Sequence, residues 1–122
     1  MPGKRNKKHD LIKSVERRGD TVIVKLSGEI DLHCSIPLRD ELVEIMHSKP
    51  AVTIINLEDV DFMDSTGLAI MIEVLQLSRL HKGQLKLVSL HQRVRSIFEI
   101  ARLEKIFQIY DDEEAALASE AQ

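Results

Sequence analysis

Apolar residues along this chain shift between a period of two and a period of about 3.6, and each shift predicts an element. Leu11, Ile12 and Val15 begin an extended segment, and Arg18-Gly19-Asp20 supplies a turn. Val22, Val24 and Leu26 then alternate with Thr21, Ile23, Lys25 and Ser27. Two short strands about a Gly-containing turn predict a β-hairpin, closed by a loop at Gly28-Glu29-Ile30-Asp31. Leu38, Leu42, Ile45 and Met46 recur at i, i+4, i+7 and i+8, with Arg39, Asp40, Glu41 and Glu44 facing out. That spacing predicts an amphipathic helix over 35–48, with Ser35 as N-cap, Pro37 in its first turn and Lys49-Pro50 as its stop. The β-branched run 52–57 lacks clean alternation, as a central strand covered on both faces does. A polar stretch follows it from Glu58 to Asp64. A second helix is predicted over 65–82, ending at Gly83. Leu85, Leu87 and Val88 predict a strand; Val94, Ile97, Phe98 and Ala101 a helix; residues 106–109 a short last strand. Asp111 is read as the cap of a final helix whose first turn holds Asp112, Glu113 and Glu114.

The order hairpin, α, β, α, β, α, β, α predicts a single α/β domain over residues 11–120. Its sheet should be mixed and mostly parallel, with the hairpin at an edge and about four helices as cover. Leu38, Leu42, Ile54, Leu68, Leu75, Leu87 and Phe98 are expected in the core.

At 122 residues the chain has room for one domain, large enough to bury a core without metal or disulfide staples. With three Phe, one Tyr and no Trp, that core rests on Leu, Ile and Val, and platforms for stacking bases are nearly absent. The net charge of −3 argues further against nucleic acid. Lys4, Arg5, Lys7 and Lys8 crowd residues 1–10, expected to be a disordered basic leader. Only Leu11-Ile12 follows it as apolar sequence, too little for a signal peptide. The apolar run Leu68-Ala69-Ile70-Met71-Ile72 is too short to span a bilayer. The single Cys34 suits a reducing compartment, so a cytoplasmic protein without a membrane partner is expected.

In open α/β sheets function tends to sit beyond the carboxyl ends of the strands, here at Gly28-Glu29-Ile30-Asp31 and around Asp64-Ser65-Thr66-Gly67. Advancing about 100° per residue from Ser65 places Ile70, Val74 and Leu77 on one side of a broad apolar arc and Leu68, Met71, Ile72 and Leu75 on the other. The remaining arc holds Ser65, Thr66, Glu73 and Gln76, with Ala69 and Leu80 among them. Ser65 therefore opens the solvent face, at a helix N-terminus whose backbone N–H groups favour negative charge. Read alone, Asp-Ser-Thr-Gly is more readily a plain cap and turn.

The longer pattern decides more. Phe62-Met63-Asp64-Ser65-Thr66-Gly67-Leu68, preceded by a β-branched strand and by Gly28-Glu29-Ile30-Asp31, closely resembles the anti-sigma factor antagonists of the STAS domain family. The likeness runs over about residues 14–118. It takes in Gly83-Gln84-Leu85-Lys86-Leu87 and the series Val94, Ile97-Phe98, Ala101, Leu103 and Ile106-Phe107. The segment Leu32-His33-Cys34 is bulkier than the family pattern, and the basic leader lies outside it. The resemblance implies a protein that binds a histidine-kinase-like serine kinase, itself an anti-sigma factor or other inhibitor, and relieves the inhibition. It implies phosphorylation on Ser65, which releases the chain, and resetting by a PP2C-type phosphatase. The binding surface then comprises Glu29, Asp31, Asp61, Met63, Asp64, Thr66, Ala69, Glu73 and Gln76 about Ser65.

Other readings fit less well. A phospho-aspartate receiver needs an acidic pair after its first strand and a Lys after a later one; this chain opens with a hairpin, and no Lys directly follows the strand predicted over 85–88. Asp64-Ser65-Thr66-Gly67 carries one residue too many for an aspartic protease and lacks the Lys of a P-type ATPase. A non-phosphorylated STAS scaffold remains the alternative, with Asp64-Ser65 against it. His9, His33, His47, His81 and His91 show no ligand spacing, and Cys34 has no evident base beside it. No cofactor, metal site or catalytic constellation is expected, and the chain is not read as an enzyme.

Overall fold

A computed structural model describes residues 11–119, so the basic leader and residue 120 lie outside the described residues. Strands β1 (Ile12–Arg18), β2 (Thr21–Ile30), β3 (Val52–Met63), β4 (Gln84–Val88) and β5 (Gln108–Tyr110) form one sheet in sequence order. β1 and β2 pair antiparallel and every other pair is parallel. Helices α1 (Ser35–Met46), α2 (Ser65–Leu80), α3 (Gln92–Ile100) and α4 (Glu113–Ala118) make the crossovers and the cover. This is the predicted mixed, mostly parallel sheet with the hairpin at its edge, and all seven expected core residues are buried.

The two faces of the sheet are unequal. Val22, Val24, Leu26, Ile55, Leu57, Leu85 and Leu87 meet Leu38 and Leu42 of α1, Met71 and Leu75 of α2, and Val94 and Phe98 of α3 in the main core. On the other face Ile23, Ile54 and Val88 form a smaller cluster with Ala116 of α4, flanked by Val52 and Tyr110. Lys86 is buried on that side. Its ammonium donates to the backbone carbonyls of Ala116 (2.9 Å) and Ser119 (3.1 Å) and lies 5.5 Å from the Tyr110 ring centre. A cation at carbonyls near a helix C-terminus is favoured by the helix dipole.

Several local readings are corrected. The polar stretch after Leu57 is not a loop: β3 continues through it to Met63. Its pairing with β2 shifts register twice, between Lys25 and Ser27 and between Gly28 and Glu29. Each shift places an extra residue on β3, the arrangement of a β-bulge. Leu57, Val60 and Met63, three apart, thereby all reach the core, a spacing that hides a strand from a period-two reading. Likewise Gly28, Glu29 and Ile30 belong to β2, and only Asp31 begins the loop. Cys34, not Ser35, is the N-cap of α1; the Ser35 hydroxyl donates to the Leu32 carbonyl. α1 ends at Met46 and α2 at Leu80. Lys82, at φ 63°, takes the left-handed position assigned to Gly83. Gly83 is needed for space instead, since a Cβ there would stand 2.7 Å from the Pro50 carbonyl oxygen. β5 begins at Gln108, leaving Ile106 outside it, and Asp112 rather than Asp111 caps α4.

Candidate functional site

The carboxyl ends of β2 and β3 lie side by side, with Ile30 opposite Met63. Beyond them the Asp64 amide donates to the Ile30 carbonyl at 3.1 Å, which pins the start of α2 to the end of β2. Asp64 is extended (φ −100°, ψ −170°), and its Oδ1 accepts from the amides of Thr66 (2.8 Å) and Gly67 (3.3 Å). Its carbonyl takes the Leu68 amide at 3.1 Å. Of the amides an α-helix leaves unsatisfied at its start, only that of Ser65 lacks a partner within the described residues.

Ser65 is the first residue of α2 and exposed, and its hydroxyl makes no hydrogen bond within the described residues. The N–H groups expected to welcome a phosphate are taken by Asp64, so a phosphate on Ser65 would face a carboxylate more than a nest of free donors.

Gly67 sets how deeply α2 sits. A Cβ at this position would stand 2.6 Å from Met63 Cγ and 2.8 Å from Ile30 Cγ2, closer than carbon atoms approach. Gly67→Ala is therefore expected to lift the start of α2 off the strand ends at a cost of about 1–3 kcal/mol, read as a lower urea midpoint. An unchanged midpoint would mean that Met63 yields freely.

Along α2, Ser65, Ala69 and Gln76 are exposed, while Thr66 and Glu73 are half-buried. Glu73 is held by Arg39 of α1 in a two-pronged pair, Nε to Oε1 and Nη2 to Oε2, both at 2.7 Å. Sequence reasoning missed Arg39, which it placed on the polar face of α1 without a partner. Glu29 and Asp61 are exposed; Asp31 is half-buried and accepts from the His33 amide at 3.0 Å. Met63 is a correction: it is 4% exposed, packed beneath Gly67, and contributes no surface.

Glu29 and Asp61 also face a cleft of about 680 Å³ whose far side is His91, Gln92 and Arg93 at the start of α3. These three were missed as site neighbours; the only signal was the position of a helix start after β4. Glu29, Asp31, Asp61 and Asp64 make no ion pair within the described residues. Asp59, by contrast, is paired with Lys13 at 2.5 Å, and that hydrogen bond holds its carboxyl below the usual range. Cys34 is buried, its thiol directed at the Glu29 carbonyl 3.2 Å away. Burial pushes that thiol up, away from the thiolate that nucleophilic chemistry requires. Among the described residues no three His, Cys, Asp or Glu side chains are grouped to hold a metal ion, and no helix is long and apolar enough to cross a membrane.

Comparison with known proteins places this geometry in context. The model of the STAS domain family matches residues 13–116. The anti-sigma-B factor antagonist of Bacillus subtilis (strain 168) is 33% identical over 95 residues, 78% of this chain and 86% of that protein. A crystal structure of an anti-sigma factor antagonist from Mycobacterium paratuberculosis matches with a TM-score of 0.78 at 26% identity, over 85% of this chain and 88% of that one. The anti-sigma factor antagonist SpoIIAA, 24% identical, matches over 85% of this chain. Its unphosphorylated form gives a TM-score of 0.74 over 91% of that chain, and its phosphorylated form 0.68 over 95%. At that identity SpoIIAA speaks for the fold.

Proposed function

This chain belongs to the STAS domain family, and we propose that it is an anti-sigma factor antagonist switched by phosphorylation of Ser65. Unphosphorylated, it occupies a histidine-kinase-like serine kinase that serves as the anti-sigma factor and so relieves the inhibition. The kinase supplies ATP, Mg²⁺ and a base. The Ser65 Oγ bonds to the γ-phosphorus, the bond from that phosphorus to ADP breaks, and the hydroxyl proton passes to the base. The modified chain leaves, and a PP2C-type phosphatase hydrolyses the ester.

The observation that carries this reading is the Ser65 hydroxyl, exposed and unpartnered within the described residues, while Asp64 holds the turn beneath it without using that hydroxyl. A cap that needed the serine side chain would compete with a kinase for it; this one does not. The relatives named anti-sigma factor antagonists supply the class of partner.

The test is phosphosite mapping by mass spectrometry after incubation with purified histidine-kinase-like serine kinases and ATP-Mg²⁺. One phosphate on Ser65, absent from the Ser65→Ala protein, is the expected result. Phosphate on Thr66, Ser89 or Ser96, with the Ser65→Ala protein still fully modified, would overturn the reading. Tight binding without any phosphate would instead favour a scaffold.

A further inference from the structure

Leu32 and Ile36 are each 69% exposed, on either side of the point where α1 begins. Exposed apolar surface rimmed by polar residues marks an interaction site where it is contiguous. We propose that Leu32 and Ile36 are the apolar anchor by which the serine kinase holds this chain, so that affinity resides in α1 and switching in α2. The proposal rests on the kinase-antagonist reading and adds to it where the kinase grips.

Placement supports the pairing with Ser65. α1 and α2 both follow parallel strands and run in the same direction. The two-pronged Arg39–Glu73 contact fixes their relative height. Ile36 lies three residues before Arg39, and Ala69 four residues before Glu73, each about one turn nearer the helix start. Ile36 is thereby brought level with Ala69, the smallest residue on the exposed stripe, one turn below Ser65. Leu32 is tied to the same end of the sheet. The chain from Leu32 to Ile30 leads across the Ile30–Asp64 hydrogen bond to Ser65, a path of at most about 18 Å. A standard interface covers about 800 Å² per partner, a disc of about 16 Å radius. A kinase that centres its transfer site on Ser65 with such a footprint therefore reaches out toward the start of α1.

Charge points to the same occupant. Asp31 directly precedes Leu32, and Glu29 and Asp61 lie at the same end of the sheet; none of the three makes an ion pair among the described residues. A partner with an apolar pocket edged by Lys or Arg complements that end, whereas a second copy of this chain would bring acid against acid. An apolar centre inside a polar rim is the arrangement in which a few residues dominate binding.

The experiment uses the full chain and the purified kinase that modifies it, comparing Leu32→Ala, Ile36→Ala and the double variant with Leu80→Ala. Leu80 is 80% exposed at the far end of α2 and serves as the control. Each anchor variant is expected to weaken binding of the unphosphorylated chain at least tenfold and to raise KM for phosphotransfer, with kcat within twofold of the parent. Melting temperature should hold, since side chains this exposed contribute little to folding. Changes below twofold, or an equal loss in Leu80→Ala, would overturn the anchor. So would a dimer of the parent that the anchor variants dissolve. The two readings fail separately: binding that depends on Leu32 and Ile36 without phosphate on Ser65 rejects the switch and keeps the anchor. Phosphate on Ser65 at an unchanged KM does the reverse, and no binding at all rejects both.

Discussion

Phosphorylated on Ser65, the chain is expected to bind its kinase on the order of a hundredfold more weakly than the unphosphorylated form. Phosphate adds about −1.5 to −2 charges beside Asp64, whose carboxylate already caps α2. In the free chain a like charge roughly 5 Å away costs about 1 kcal/mol, because water screens it. Beneath a bound partner, at an effective dielectric of about 20, the same pair costs about 3 kcal/mol. Binding is penalised by the difference, about 2 kcal/mol for each unit of charge. With the larger charge of phosphate this reaches a hundredfold. Glu29, Asp31 and Asp61, at the same end of the sheet, would add to it wherever the partner reaches them. Titration of the kinase with the purified phosphoprotein, the unmodified chain and two variants tests this. Ser65→Ala should bind as the parent does. Ser65→Asp should fall between, since it carries one charge in place of nearly two. Equal affinities for the phosphorylated and unmodified forms would remove electrostatic release as the mechanism.

Phe98→Ala is expected to lower stability by about 3–5 kcal/mol, the range for truncating a fully buried aromatic side chain. Phe98 is inaccessible to solvent, and its ring meets Phe107 edge-on at 5.2 Å and 89°. In a core otherwise built from Leu, Ile, Val and Met, this pair joins α3 to the segment entering β5, and small neighbours leave few ways to refill the space. A domain of this size has about 5–15 kcal/mol in all, so the urea midpoint should move far, or the variant should be partly unfolded without denaturant. Ile97→Ala, on a residue only partly buried, supplies the comparison. A loss below about 1 kcal/mol for Phe98→Ala would show that the core recloses around the missing ring.

Elements whose apolar spacing matches an ideal period were legible from the sequence. α1, with Leu38, Leu42 and Met46 buried, and α2, with its exposed arc, are examples, as is the hairpin edge. What misled was backbone irregularity. The two register shifts opposite β2 turn the alternation of β3 into a spacing of three at Leu57, Val60 and Met63, which reads as polar loop. Caps were displaced by single residues: Asp112 has in Asp111 a neighbour of equal local merit, whereas Cys34 takes the N-cap position of α1 without a side-chain capping bond although Ser35 is the better capping type. At the site, the exposure of Ser65 followed from the helical wheel. The approach of Arg39 to Glu73 and of His91 to the Glu29 and Asp61 side depends on how separate elements dock, which local sequence does not encode. Met63 shows the reverse error: a residue inside a family motif was read as surface, although packing beneath Gly67 is what it does.

The buried ammonium of Lys86 bears on how far the chain can be trimmed. A version ending just after Tyr110 would keep all five strands and the whole Ser65 surface. It would also remove the Ala116 and Ser119 carbonyls and leave a cation in the sheet facing Ile54 and Val88 without its acceptors, an arrangement that costs far more than a lost contact. α4, at six residues, is too short to hold a helix unaided, so strand and helix each depend on the other being in place. A protease that clips this apparently dispensable tail would therefore loosen the middle of the molecule, and tags or fusion partners are better tolerated beyond residue 119 than in place of what precedes it.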